Sequence, residues 1–263
     1  MNRASVFCLA VASLAPFALA ACSGTKATPD SSADSGSDTG TGPDAVCTQP
    51  TPIACTDQII SDLSLHDDKT STGDVVTTTD GTDFLTTVDA SAGGFGNETK
   101  HAWTYLKFTP TGAEKVSIDD ETALTSMDWD LSARRFILRL NGGSSGPSCV
   151  GADAVGGGAT YESITSIPSD AAYAMDAFYD ADCNLIGDSS GLPGSPAVAL
   201  AAWWSYASCL ETTGQPFLIQ LADGHVIKLR VESYYGSSQD ECNSTGTTSA
   251  DGGYFIFRWA YLN

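Results

Sequence analysis

Residues 128–146 read Asp-Trp-Asp-Leu-Ser-Ala-Arg-Arg-Phe-Ile-Leu-Arg-Leu-Asn-Gly-Gly-Ser-Ser-Gly. Trp129 stands between two acids, and Phe136, Leu138 and Leu140 then alternate with Arg135, Ile137 and Arg139. A period of two turns one apolar row toward a core and leaves Arg135 and Arg139 on the opposite face, so the spacing predicts a strand over residues 129–141. Asn141, Gly142 and Gly143 tolerate positive φ and end that strand in a sharp turn.

Outward from this stretch the same period recurs. Strands are predicted at 103–109, 114–119, 160–167, 172–179, 203–208, 216–222, 225–235 and 253–262. The clearest pair is the hairpin at 216–235, folded at Asp223-Gly224. Its second arm points Ile227, Leu229 and Val231 inward and Lys228, Arg230 and Glu232 outward. The last strand gathers Phe255, Phe257, Trp259 and Tyr261 on one face. Two Thr/Val-rich pieces, 75–79 and 84–88, flank an Asp-Gly turn and read as further strands. No segment spaces its apolar residues at i, i+3 and i+4 over several turns. The expectation is an all-β, antiparallel, sandwich-like fold with short helices or turns at most.

The formal charge is −20, from 32 Asp and Glu against 12 Lys and Arg, with a pI near 4.1. Phosphate backbones and anionic membrane surfaces repel such a chain, which excludes nucleic acid as a partner. Residues 1–21 carry Arg3 and an apolar run from Val6 to Ala21, the form of a secretion signal. The signal ends Leu19-Ala20-Ala21-Cys22, a lipobox pattern that makes Cys22 the lipidated mature N-terminus and anchors the chain to a membrane. Ser23 follows, with no Asp to retain the protein at the inner membrane, so the outer membrane is expected. Residues 22–46 hold Ser, Asp, Gly, Thr, Ala and Pro with almost no large apolar side chain, the composition of a flexible acidic tether. An N-terminal extension with short strands follows at 47–98, and the main β domain at 99–263.

Six cysteines remain after Cys8 in the leader and Cys22: Cys47, Cys55, Cys149, Cys183, Cys209 and Cys242. An even number in an exported chain predicts three disulfides. Closeness in sequence favours Cys47–Cys55, and the remaining order favours Cys149–Cys183 and Cys209–Cys242. No C-x-x-C spacing occurs, so metal and redox readings are weak.

The opening stretch resembles the WD-x-A…R-x-N-G-G-x-S-G segment of the HmuY family, bacterial surface lipoproteins whose founding member captures haem. The matching residues are Trp129, Asp130, Arg139, Asn141, Gly142, Gly143, Ser145 and Gly146, with Ser132 where the family has alanine. The strand Trp103-Thr-Tyr-Leu-Lys-Phe108 is similar to the family's entry strand, and the likeness runs to the closing aromatic strand. The resemblance implies a binding protein at the cell envelope, haem as ligand and an outer-membrane receptor as partner. It implies two axial histidines on loops matching about 183–197 and 203–209, yet neither loop holds His or Met, and Ser208 occupies one of the ligand positions. The donors left are His101, His225 and Met175, with Trp203, Trp204 and Tyr206 as rings on which a porphyrin would stack. His66 lies outside the resemblance.

Two other chemistries have weaker signatures. Gly142-Gly143-Ser144-Ser145-Gly146 matches G-x-S-x-G, which in a hydrolase places its serine on a strand-to-helix elbow. Pro147 and Cys149 follow at once, so a plain turn is favoured over a Ser144 or Ser145 nucleophile. Asp180, Asp182, Asn184 and Asp188 alternate as in a calcium loop but lack its glycine and bidentate glutamate, which favours a solvated loop. Asp119, Asp120 and Glu121 read as surface charge. No metal site is expected. A structural surface lipoprotein without a small-molecule ligand is the remaining alternative.

Overall fold

Alternation of apolar and polar side chains resolves into strands rather than helices, as the composition implies. The computed structural model describes residues 46–188 and 195–262. The leader at 1–21, Cys22 and the tether before Val46 lie outside them. The strands are β1 (Val75–Asp80), β2 (Asp83–Asp89), β3 (Thr104–Thr109), β4 (Gly112–Val116), β5 (Leu131–Arg134) and β6 (Ile137–Leu140), then β7 (Gly151–Ala154), β8 (Trp204–Tyr206), β9 (Leu210–Thr212), β10 (Pro216–Gln220), β11 (Val226–Ser233) and β12 (Tyr254–Leu262). Three short helices punctuate them: α1 (Thr56–Asp62), α2 (Asp120–Ala123) and α3 (Gln239–Thr245).

One sheet runs β1-β2-β12-β11-β10-β7 and a second runs β4-β3-β5-β6, with β8 and β9 as a separate hairpin. All the paired strands are antiparallel. The two larger sheets share one core. Val88, Phe217, Ile219, Ile227, Leu229, Val231, Phe255, Phe257 and Trp259 of the first pack with Leu106, Phe108, Leu131, Leu138 and Leu140 of the second. Each such side chain taken out of water stabilises the fold by roughly 1.5–3 kcal/mol before conformational entropy is counted. The hairpin reading of 216–235 holds, with Gln220 opposite Val226 and the inward row Ile227, Leu229, Val231 buried. Phe84 stacks on Trp259 at 4.5 Å, so β2 is tied to the closing aromatic strand.

The stretch around Arg135 departs from the expected single strand. Leu131↔Leu140 and Arg134↔Ile137 pair as a hairpin, and Arg135 turns the chain with φ 49°. That conformation is held by the Arg135 amide on the Ala90 carbonyl (2.7 Å) and its guanidinium on the Gly252 carbonyl (2.7 Å). A two-residue turn keeps Leu138 and Leu140 facing inward, which is why the alternation alone did not reveal it. The opposite face is not solvent. It carries Ser132, Arg134 and Arg139 into a second cluster of Trp103, Tyr105, Trp129 and Phe178 with Ile59 and Leu63 from the α1 region.

The expected strands at 160–167 and 172–179 do not form. The first is a single 3-10 turn, Tyr161–Ser163. The second makes only isolated bridges at Ala174, Asp176 and Tyr179, because its backbone bonds go in turn to Ala152, Ser144, Ala197 and Ile186 instead of to one neighbouring strand. Disulfides join Cys47–Cys149, Cys55–Cys183 and Cys209–Cys242. The last is the pair expected; Cys47–Cys55 and Cys149–Cys183 are not. Cys47 bonds the Ala222 carbonyl and Thr51 the Pro147 carbonyl, so the Pro50/Pro52 segment runs across the fold and carries its two cysteines to different loops.

Candidate functional site

The fingerprint from Trp129 to Gly146 closes on itself. Asp130 accepts the Phe108 amide at 2.8 Å, and its own carbonyl accepts the Asn141 amide at 3.0 Å. Asn141 donates to the Trp129 carbonyl (2.7 Å) and the Ser126 carbonyl (3.0 Å) and accepts the Ser148 amide (3.2 Å). Arg139 lies with its guanidinium 4.7 Å from the Trp103 ring and 5.8 Å from Trp129, and donates to the Ser145 carbonyl at 2.8 Å. The Ser145 hydroxyl is bound to Asp176. A Cβ on Gly146 would come within 2.1 Å of Asn141 Oδ1, and one on Gly142 within 2.3 Å of the Val150 carbonyl. Gly143 takes φ 62° beside the Asp176 carbonyl. Apart from Gly143, the eight residues are buried, and their polar side chains bond to one another or to neighbouring groups of the same fold. This constellation ties β5, β6 and the following turn together, and no side chain in it is presented to a ligand.

Two buried acids complete it that sequence reading missed. Asp176 sits alone among apolar neighbours in Ala-Tyr-Ala-Met-Asp-Ala-Phe, which was the available signal. Asp120, read as surface charge, is fully buried and accepts the amides of Trp103 (2.9 Å) and His66 (3.1 Å) and the Tyr105 hydroxyl (3.1 Å). Burial pushes the carboxyls of Asp130 and Asp176 up to about 6 and raises Asp120. Burial also draws Arg134 down to about 10, while its guanidinium donates to the carbonyls of Leu63 and Ser64 past the end of α1 and of His101 before β3.

The residues expected around a haem are scattered. Trp203 is core, its ring against Phe255 (5.2 Å) and Tyr234 (5.6 Å) and its Nε1 on the Phe136 carbonyl. Trp204 is buried edge-on to Phe136, and only Tyr206, 59% exposed, shows a free face. His225 stands at the β10–β11 turn beside Asp223 and Tyr261. Met175, 48% exposed, covers Gly142 and Gly143. His101 lies against Gly93. None of these three donors touches another. Ser208 is on the exposed β8–β9 turn, its amide on the Gly246 carbonyl.

The hydrolase signature has no catalytic setting. Ser144 accepts the Phe178 amide, Ser145 is held by Asp176, neither meets a histidine, and irregular chain follows Gly146 where an elbow needs a helix. In the acidic loop, amides of Asn184 and Asp182 occupy the Asp180 carboxylate and hold it below the usual range. Among the described residues no group of three or more His, Cys, Asp or Glu is placed to hold a metal, and no helix is long and apolar enough to cross a membrane.

Among the described residues, two cavities concern the candidate site. One, of about 470 Å³, is an apolar trough between Pro50–Ile53, Ile60, Leu124 and Pro147. The other, of about 460 Å³, is more enclosed and lies between residues 69–73, 89–93 and 100–104, with Ala133 also lining it. Lys69, Lys100 and His101 line it together with Ser71, Asp89 and Thr104.

The family described as HmuY protein matches residues 99–246. No curated protein matches the chain. Solved structures similar to it include a protein of Bacteroides vulgatus, assigned as HmuY-like and haem-binding, at 15% identity over 72% of this chain and 97% of that one, TM-score 0.45. An assigned lipoprotein of Bacteroides fragilis gives 15% identity over 72% and 96%, TM-score 0.45. The apo HmuY analog of Tannerella forsythia gives 14% over 72% and 97%, TM-score 0.39.

Proposed function

The chain belongs to the HmuY family, and on that premise we propose that it is a lipid-anchored binding protein of the outer membrane, facing the surface or the periplasm, that does not clasp haem between two axial ligands. Leu19-Ala-Ala-Cys22 supports the anchor, and the acidic segment behind it supports a tether. A binding role rather than catalysis is supported by Ser144 and Ser145 being engaged in structural hydrogen bonds. The observation that carries the haem part is the dispersal of His101, His225 and Met175 into three neighbourhoods while Trp203 and Trp204 are used up in the core. Hexacoordinate low-spin iron needs two strong donors on opposite porphyrin faces. Titrating the purified protein with hemin should give weak or absent binding without sharp low-spin bands. A tight complex with those bands overturns the reading, and alanine at His101, His225 or Met175 then identifies the donor by loss of the bands.

A further inference from the structure

Two lysines and a histidine line the more enclosed cavity of this acidic chain. Ten of the 12 Lys and Arg fall in the described residues, all but Arg3 and Lys26. Lys69 and Lys100 stand in the cavity wall. Lys115, Arg134 and Arg135 each donate to a backbone oxygen of a wall residue, at Ser71 (2.9 Å), His101 (3.3 Å) and Ser91 (3.2 Å). Two ammonium groups thus line one hollow in a protein of net charge −20, Lys69 also meeting the Lys100 carbonyl and Lys100 the Asn97 side chain. The only carboxylate in the wall is Asp89, and it accepts the Ser91 amide at 2.9 Å. Asp68 pairs with Lys69 at 3.7 Å.

The walls are shaped by close approach. A Cβ on Gly73 would fall 1.9 Å from the Asp89 carbonyl, and one on Gly93 would fall 2.5 Å from His101 Nε2, with φ 75° barring most side chains there. Glycine at both places lets the two N-terminal segments pack against each other and against the imidazole. Ser71 and Thr104 share a hydroxyl–hydroxyl bond of 2.6 Å at the wall. The volume of about 460 Å³ is within the range of small-molecule sites, roughly 300–1,000 Å³. No Phe, Tyr or Trp ring lines it, so a porphyrin would find no apolar face, whereas ammonium groups, hydroxyls and an imidazole suit oxyanions.

The geometry points to this cavity as a binding site for a small organic oxyanion, with Lys69 and Lys100 holding its negative charge and His101 and the hydroxyls of Thr70 and Thr72 its remaining oxygens. The inference rests on the binding role proposed above, and its test is separable because hemin is not a probe in it. Isothermal titration of the purified full-length protein at low ionic strength, with citrate in one arm and glucose 6-phosphate in the other, should show saturable binding of at least one. Binding of citrate alone assigns a carboxylate ligand, and of the sugar phosphate alone a phosphate ester. The double variant Lys69→Gln/Lys100→Gln should weaken that binding roughly tenfold or more, as for loss of two partly exposed charge-assisted bonds. It should melt with wild type, because neither lysine is buried. Lys107→Gln, the same charge change on β3 away from the cavity, should leave affinity unchanged. No heat with either probe overturns the inference, as does equal weakening by Lys107→Gln.

Discussion

If the Trp129–Gly146 fingerprint is a structural knot, cutting it should cost stability and leave binding alone. Asn141→Ala removes two donated bonds, of 2.7 and 3.0 Å, and one accepted bond of 3.2 Å, from a side chain with no solvent exposure. Each bond contributes about 1 kcal/mol net, and each buried group left unpaired costs about 1–3 kcal/mol. The Ser126 bond is only part-buried, so its carbonyl regains water, while the Trp129 carbonyl and Ser148 amide do not. The expected loss is therefore about 3–4 kcal/mol, a large share of the roughly 5–15 kcal/mol of a typical domain. Urea denaturation followed by tryptophan fluorescence measures it, since Trp103 and Trp129 lie in the affected cluster. Should the alanine variant fail to accumulate, Gly146→Ala is the gentler probe, forcing a methyl toward Asn141 Oδ1 at a cost of about 1–3 kcal/mol. A midpoint shift equivalent to less than about 1 kcal/mol for Asn141→Ala would refute the reasoning, because three such bonds cannot be lost so cheaply from a dry site.

Three further outcomes can be checked, two from the structure and one from the leader sequence. Asp130 and Asp176 are raised to about 6 in the folded chain against about 3.9 unfolded, so their contribution is fully present below about pH 4 and is lost as pH rises through 6; Asp176→Asn should flatten the fall in stability between pH 4 and 6.5 by up to about 3 kcal/mol, and an unchanged slope tells against it. Non-reducing peptide maps should show Cys47–Cys149, Cys55–Cys183 and Cys209–Cys242; removing Cys55–Cys183, which spans 128 residues, should lower stability more than removing Cys209–Cys242, which spans 33, by chain entropy of about 5 against about 4 kcal/mol. Cys22→Ser should abolish fatty-acid labelling and release the protein from membranes, and label that survives the change removes the anchor.

The sheets were legible where one face meets a core and the other meets water. The middle of β11 and of β12 follows that rule, and their inward rows were read correctly from alternation alone, whereas β10 is buried on both faces, with Leu218 packed against Ile164, Val226 and Leu262. The rule failed where both faces are covered. Arg139 looks outward in the pattern and is outward from the main core, yet a second layer of Trp103, Trp129 and the α1 region closes over it. Period-two reading carries no information about a third layer. β7 was missed because Gly-Ala-Asp-Ala offers too little apolar surface to signal a strand, although it pairs in register with β10. The disulfides failed for a different reason: nearness in sequence favours short loops, whereas the extended Pro50–Pro52 segment spends its length crossing the fold.

The same distinction separates what is recognisable in this chain from what can bind. A fingerprint persists as a pattern of residue types because each of its members is fixed by several neighbours at once: Asn141 by three hydrogen bonds, Gly146 by the space Asn141 leaves, Arg139 by two indoles and Ser145. Those constraints are internal, so they identify a fold and are silent about its ligand. The cationic cavity is built the other way. Its polar side chains are Lys, Ser and Thr with one His and one Asp, in no diagnostic spacing, and two of its segments, 69–73 and 89–93, lie before residue 99 and therefore outside the span that matches the family. A relative sharing the Trp129–Gly146 knot need not share Lys69, Gly73 or Gly93. The lining of that cavity is consequently set by the chain's own N-terminal segments and not by the residues of the family fingerprint.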